Sequence, residues 1–152
     1  MMEIKTGQTL ELDNVLSFRG KLTQGEVQQI GKDMESKIIA ANARLVGNPI
    51  MATYVIEGEK MDMELICPID KKIESIEGYV YKEKIKIVNA AKMSYKGNPN
   101  RLQEACNELN KYIMENKLQP ITVGYNVTKK IDILDINNAE IDVYVGINPN
   151  IL

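Results

Sequence analysis

The sequence predicts an α+β domain made of two similar units, each with the order strand, helix, strand, strand. Two segments have apolar residues spaced three or four apart, which is typical of amphipathic helices. Each of these segments follows one strand-like stretch and precedes two more. Because the whole order occurs twice, we predict an internal duplication within one domain of residues 1–152, with repeats at about 8–78 and about 79–152.

The first helix is predicted to begin after Thr23. Thr23 and Glu26 have the spacing of a capping box, in which each side chain bonds the backbone N–H of the other residue. The apolar stripe that follows consists of Val27, Ile30, Met34, Ile38, Ala41 and Leu45. The turn-forming sequence Gly47-Asn48-Pro49 predicts the end of this helix.

The second helix is predicted to begin after Asn98, a good N-cap residue, with Pro99 in the first helical position. Its apolar stripe consists of Leu102, Ala105, Cys106, Leu109, Tyr112 and Ile113. The helix should end before Pro120, because proline disfavours helical backbone in the residue before it.

Six segments with apolar, β-branched and aromatic residues predict strands. The strands before the helices are NVLSFRGKL from Asn14 and KIKIVNAAKMSY from Lys84; those after them are IMATYVIEG from Ile50, MDMELICPID from Met61, ITVGYNVTK from Ile121 and EIDVYVGINP from Glu140.

The last strand of each repeat has one apolar and one acidic face, because successive side chains on a strand point in opposite directions. The apolar faces consist of Met61, Met63, Leu65 and Cys67 in the first repeat and Ile141, Val143, Val145 and Ile147 in the second. The opposite faces consist of Asp62, Glu64 and Ile66, and of Glu140, Asp142 and Tyr144. We therefore expect the apolar faces to pack under the helices and the carboxylates to face a groove.

Composition argues against several classes of function. The chain has no histidine, which removes the commonest general base and the commonest transition-metal ligand. Cys67 and Cys106 lack the short spacing of a metal or redox motif, so we expect reduced thiols, no metal and no cofactor. A net charge of −2 with scattered lysines predicts no nucleic-acid or membrane partner. Without a signal-peptide pattern at the N-terminus, a cytoplasmic protein is expected, and its oligomeric state is left open.

Three segments resemble the effector-binding domain family, also called GyrI-like, whose members occur alone or as the ligand-sensing part of bacterial multidrug regulators. They are Glu64–Pro68, which reads ELICP and fits E-x-x-x-P; its counterpart DVYVG from Asp142 to Gly146; and RLQEACNELNKYIMENKLQP, which is similar to the family's second helix. The likeness covers about Leu12 to Pro149 and identifies the chain as a standalone member.

The resemblance implies two pseudo-symmetric units that share one antiparallel sheet, with helices on one face and a ligand groove between the units on the other. It also implies that Asp142 occupies the place of a glutamate that attracts lipophilic cations in sensing members. This chain departs from the family pattern at that aspartate, at Gly146, where the family has proline, and in having no tryptophan.

The predicted function is therefore non-enzymatic binding of a small organic ligand, cationic and lipophilic, in the groove. The predicted ligand-binding residues are the acids Asp142, Glu140, Glu64 and Asp62 and the tyrosines Tyr144, Tyr54 and Tyr125, which offer faces for cation–π contact. Proximity of like charges and partial burial should each raise the pKa of Glu64 and Asp142.

Three alternatives remain at this stage. The acids could belong to a solvated sheet face, paired with lysines of neighbouring strands. The domain could be an interaction module that keeps the fold without a ligand and binds a protein partner through an exposed strand edge or a groove mouth. It could also be a hydrolase that uses one protonated and one ionised carboxyl group as general acid and base.

Overall fold

The computed structural model describes residues 2–150 and contains six strands and two α-helices in the predicted order. The elements are β1 Met2–Leu22, α1 Gln24–Ala40, β2 Ile50–Glu57, β3 Lys60–Pro68, β4 Val80–Gly97, α2 Leu102–Glu115, β5 Pro120–Lys130 and β6 Ala139–Ile147. The predicted α+β fold class, with two helix-containing units of antiparallel strands, is confirmed. Two compact units are present: Glu11–Lys86 forms the first, and residues up to Leu10 and from Ile87 onward form the second.

In the first unit β3 lies between β1 and β2, antiparallel to both. Its register places Glu64 opposite Arg19 of β1 and Ala52 of β2. The predicted apolar face of β3 packs against α1 in a core that contains Met34, Ile38, Met63, Leu65 and Cys67. Burial of these side chains is the main force that holds the helix on the sheet.

In the second unit β6 lies between β4 and β5, again antiparallel to both. Asp142 is opposite Ser94 of β4 and Val127 of β5. The apolar face of β6 packs against α2 in a core that includes Ala105, Leu109, Ile113, Ile141, Val143, Val145 and Ile147. The periods of two and of 3.6 therefore predicted both helix-sheet contacts correctly.

The N-terminal limit of α1 agrees with the sequence prediction, whereas α2 begins at Leu102 and not at the predicted Pro99. Thr23 caps α1, and both hydrogen bonds of the capping box with Glu26 form. Asn98 accepts a hydrogen bond from the N–H of Asn100 and caps one 3₁₀ turn, Pro99–Arg101, that leads into α2.

The predicted end of α1 is wrong, because the helix ends at Ala40 and not at Gly47. The N–H of Asn42 bonds the carbonyl of Ile39 and the N–H of Ala43 bonds the carbonyl of Ile38, a pair of bonds that defines a Schellman motif. Asn42 has φ 62°, and asparagine tolerates this left-handed conformation better than most residues. Leu45 therefore lies outside the helix, where it forms an isolated bridge with Ile69.

Two strands are longer than the sequence predicts. β1 begins at Met2 instead of near Asn14, and the side chain of Ile4 packs against the core of the second unit. Gly7 and Asn14 have positive φ within β1, so local bends interrupt the regular extended backbone of this strand. β4 likewise begins at Val80, before the predicted Lys84. Within residues 2–150 neither helix has the length and apolar character needed to cross a membrane.

Candidate functional site

Glu64 lies in a polar cluster of the first unit, which we call the Glu64 cluster and which consists of Ser17, Tyr54, Glu64 and Lys82. The residue is 6% exposed. Its carboxylate accepts a short hydrogen bond from the Ser17 hydroxyl and one of 2.7 Å from Lys82 Nζ, and the Tyr54 hydroxyl donates at 3.4 Å. Strands β1, β2 and β4 each contribute one partner, so this carboxylate is held on several sides.

The pKa of Glu64 differs from the sequence prediction. Burial is the largest single influence and raises the pKa of this carboxyl group. The hydrogen bonds from Lys82 and Ser17, the positive charge of Lys82 and the bond from Tyr54 together outweigh it, and the pKa lies below its ordinary value of 4.5. The predicted rise is therefore wrong for Glu64, because the prediction did not include the neighbouring donors.

Asp62, two residues earlier on β3, forms a separate contact with Arg19. The guanidinium donates to both carboxylate oxygens of Asp62, at 3.0 and 3.2 Å, and also lies 3.5 Å from the centroid of the Tyr54 ring. The hydrogen bond from Arg19 is the main cause that holds the pKa of Asp62 below its ordinary value. In the first unit, therefore, Lys82 contacts Glu64, and Arg19 contacts both Asp62 and the face of Tyr54.

Asp142 belongs to a looser group in the second unit, the Asp142 cluster, which consists of Lys92, Asp142 and Tyr144. Asp142 and Tyr144 are each 8% exposed. Lys92 Nζ lies 3.6 Å from the Asp142 carboxylate, beyond hydrogen-bond distance, and 5.6 Å from the centroid of the Tyr144 ring. Lys92 is opposite Tyr144 in the register of β4 and β6, so the backbone pairing itself places the ammonium beside both groups.

The two remaining predicted residues lie at the border of the Asp142 cluster. Tyr125 of β5 is half-buried and is directly opposite Tyr144, which makes the two rings cross-strand neighbours. Glu140 is exposed and is opposite Lys96 of β4 and Lys130 of β5. Glu140 shares the face of Asp142 but not its burial.

Glu64 and Asp142 therefore do not lie on the solvated sheet face of one alternative, since both are buried. The pairing with lysines that this alternative expected does occur, because Lys82 of β4 pairs with Glu64 and Lys92 of β4 pairs with Asp142. Sequence reasoning missed both lysines and also missed Ser17 and Arg19. Cross-strand charge pairing could have indicated Arg19, which is directly opposite Glu64, but only once the register of β1 with β3 was known.

No metal site emerges from the described part of the chain. Residues 2–150 contain no group of three or more potential metal-ligating side chains from histidine, cysteine, aspartate and glutamate. One open depression of about 700 Å³ in the first unit is lined by Ile73, Tyr79 and Tyr81 among others, and it includes none of the predicted ligand-binding residues.

Comparison with known proteins shows the fold. No protein-family model matches the chain, and no curated protein matches it. Among solved structures, the C-terminal domain of EcmrR has a TM-score of 0.78 at 12% identity, over 97% of each chain. EcmrR in its complex with DNA has a TM-score of 0.80 at 14% identity, and the match spans 97% of this chain but only 57% of that longer one.

Two further structures are less similar. SAV2435 bound to tetraphenylphosphonium has a TM-score of 0.57 at 12% identity, over 97% of this chain and 94% of that one. A hydrolase from Listeria innocua has a TM-score of 0.58 at 11% identity, over 97% and 91%. At these identities the likeness is one of fold, and the chain therefore has the fold of EcmrR's C-terminal domain and of SAV2435.

Proposed function

We propose that the chain binds a small lipophilic organic cation without chemical turnover, and that the Asp142 cluster supplies the charged and aromatic contacts. One observation carries the proposal. A buried carboxylate and the face of a buried tyrosine already hold a cation of the chain itself, because the Lys92 ammonium lies beside both. A carboxylate and an aromatic face in a partly desolvated place are the groups that recognise organic cations.

The fold comparisons support this choice. SAV2435 has the same fold and was solved with tetraphenylphosphonium, a lipophilic cation. The hydrolase from Listeria innocua has the fold as well, so fold alone does not decide between binding and catalysis. The acid–base mechanism needs one carboxyl group that stays protonated near neutral pH, and the lowered pKa of Glu64 makes this residue unsuitable for that role. The groove predicted between the repeats stays a prediction.

Asp142 is a better ligand contact than Glu64 on geometric grounds. The Glu64 carboxylate already receives three side-chain donors, so a ligand would have to replace well-formed hydrogen bonds. Lys92 Nζ lies 3.6 Å from the Asp142 carboxylate and attracts it without a hydrogen bond. A ligand that replaces Lys92 therefore has no hydrogen bond to this lysine to break.

The test is binding of tetraphenylphosphonium to the native chain and to Asp142→Asn, measured by calorimetry and by the shift in melting temperature. We expect binding by the native chain and a loss of about tenfold or more in affinity for the variant, since about 1.4 kcal/mol of lost attraction gives that factor. Glu140→Gln is the matched control, because it removes the same charge from an exposed position of the same strand face. Equal affinity of Asp142→Asn and the native chain would contradict the proposal.

A protein-interaction module is the second candidate, and a specific observation favours it. The loop after β5 exposes four apolar side chains, among which Ile133 is 93% exposed and Leu134 is 96% exposed. Exposed apolar groups that are clustered commonly mark contact surfaces. Binding of a protein partner by the native chain but not by the double variant Ile133→Ser/Leu134→Ser would support this candidate. Binding of the partner by both proteins would exclude this loop as the contact surface.

A further inference from the structure

We infer that Lys92 is an exchangeable counter-ion of the Asp142 cluster, which leaves the carboxylate and the Tyr144 face when an organic cation binds. The inference rests on the proposed function and identifies the residue that sets its affinity and selectivity. Lys92 occupies the place where the charge of a ligand would make its contacts, 3.6 Å from Asp142 and 5.6 Å from the Tyr144 ring. Ligand and ammonium therefore compete for the same two groups.

The comparison with the first unit identifies Lys92, rather than Lys82, as exchangeable. Both lysines belong to β4, and each pairs with a buried acid: Lys82 with Glu64 of β3 and Lys92 with Asp142 of β6. Lys82 donates a hydrogen bond of 2.7 Å to Glu64, and Ser17 and Tyr54 hold the same carboxylate in place. Lys92 approaches Asp142 only to 3.6 Å. Displacement of Lys92 therefore costs less than displacement of Lys82.

The hydration of the two competing cations determines which ligands succeed. A lysine ammonium is strongly hydrated, and its flexible stem allows it to return to water with little loss. The Lys92 side chain is 27% exposed, so it already reaches solvent. A small hydrated cation gains nothing by replacing it. A lipophilic cation with delocalised charge gains buried apolar area as well, so exchange favours that class.

Removal of Lys92 separates this inference from the proposed function. Lys92→Met keeps the length and apolar stem of the side chain and removes the competing charge, whereas Lys92→Arg keeps the charge and adds donors that fit a carboxylate. We expect tetraphenylphosphonium to bind Lys92→Met about tenfold more tightly than the native chain, a gain in affinity on the scale of a partly desolvated cation–π contact. It should bind Lys92→Arg more weakly than the native chain. Methylammonium, which is small and hydrated, should bind all three proteins poorly.

Lys111→Met is the matched control for net charge. Lys111 lies on α2, in the same unit, and pairs with Glu115 at the surface at 4.0 Å. Its replacement should leave the affinity for tetraphenylphosphonium unchanged. An equal gain in Lys111→Met and Lys92→Met would show a general charge effect and would overturn the inference.

Acetylation of Lys92 provides a second readout that works on the native chain. With tetraphenylphosphonium at saturation, the released ammonium should react faster with an amine-acetylating reagent, as measured for the Lys92 peptide by mass spectrometry. A slower reaction would mean that the ligand covers Lys92 without displacing it, and would overturn the inference. Binding by the native chain with no gain in Lys92→Met overturns the inference alone, while no binding by either protein overturns the proposed function and the inference together.

Discussion

Replacement of Lys82 tests how the buried Glu64 carboxylate is stabilised. Lys82→Met keeps the aliphatic stem and removes the ammonium that donates at 2.7 Å. Glu64 is then a buried carboxylate with only the Ser17 and Tyr54 hydroxyls of its cluster as donors. Loss of a hydrogen bond to a charged group costs about 1.5–3 kcal/mol, and breaking a fully buried ion pair costs about 3–5 kcal/mol.

The expected loss lies toward the lower of these values, because the Lys82 side chain is 40% exposed while that of Glu64 is 8% exposed. We expect the free energy of unfolding to fall by about 2 kcal/mol at pH 7. Urea unfolding followed by circular dichroism measures this difference. Lys84→Met is the matched control on the same strand: Lys84 pairs with Glu11 at the surface, so its replacement should change stability much less.

The pH dependence of the loss is a second part of the same prediction. In the native chain the lowered pKa of Glu64 contributes stability above about pH 4.5, and this contribution disappears as pH falls through the folded-state pKa. In Lys82→Met burial acts with less opposition, and the folded-state pKa of Glu64 should rise above that of the native chain. The variant should therefore be less destabilised at pH 5 than at pH 7. A loss at pH 7 no greater than that of Lys84→Met, or a loss that grows toward pH 5, would refute this account of Glu64.

Three further predictions concern packing, thiol reactivity and capping. Gly146→Ala should destabilise the chain by about 1–3 kcal/mol, because an added Cβ would lie 2.7 Å from Thr122 Cγ2, and Thr122→Ser should recover part of the loss in urea unfolding. Cys67 should react with a thiol reagent only as fast as the chain unfolds, because burial raises the pKa of its thiol to about 11; rapid labelling of Cys67 in a Cys106→Ser background would contradict this. Thr23→Ala should lower the free energy of unfolding by about 1 kcal/mol through loss of the capping box, and an unchanged urea midpoint would exclude that role.

Local signals in the sequence predicted those parts of the fold that depend on neighbouring residues. The capping box at Thr23 and the alternation of β3 and β6 need only residues a few positions apart, and the structure agrees with both. The end of α1 was mispredicted because Gly47-Asn48-Pro49 is a strong turn signal and hides the weaker one at Asn42. Where two turn signals compete, as at Asn42 and Gly47, tertiary packing determines at which of them the helix ends.

The contacts of the acids could not be predicted in the same way. Ser17, Lys82 and Glu64 are distant in sequence, and they meet because β3 pairs with β1 while β4 approaches the same carboxylate. A one-residue change of register would turn the side chains of a strand to the opposite face. The sequence indicated which strand faces carry acids, but the identity of each partner required the three-dimensional arrangement of the strands.

The contrast between the two acids leads to opposite expectations for their neutral variants. Glu64→Gln removes a carboxylate that three strands hold through hydrogen bonds, so it should lower stability and leave binding of tetraphenylphosphonium largely intact. Asp142→Asn removes a carboxylate whose cation stands at 3.6 Å, so it should lower ligand affinity and change stability less. Urea unfolding measures the stability of both variants, and calorimetry measures their affinity for tetraphenylphosphonium. Loss of affinity in Glu64→Gln at unchanged stability would reverse these assignments, because it would make the well-bonded carboxylate the ligand contact despite its existing donors.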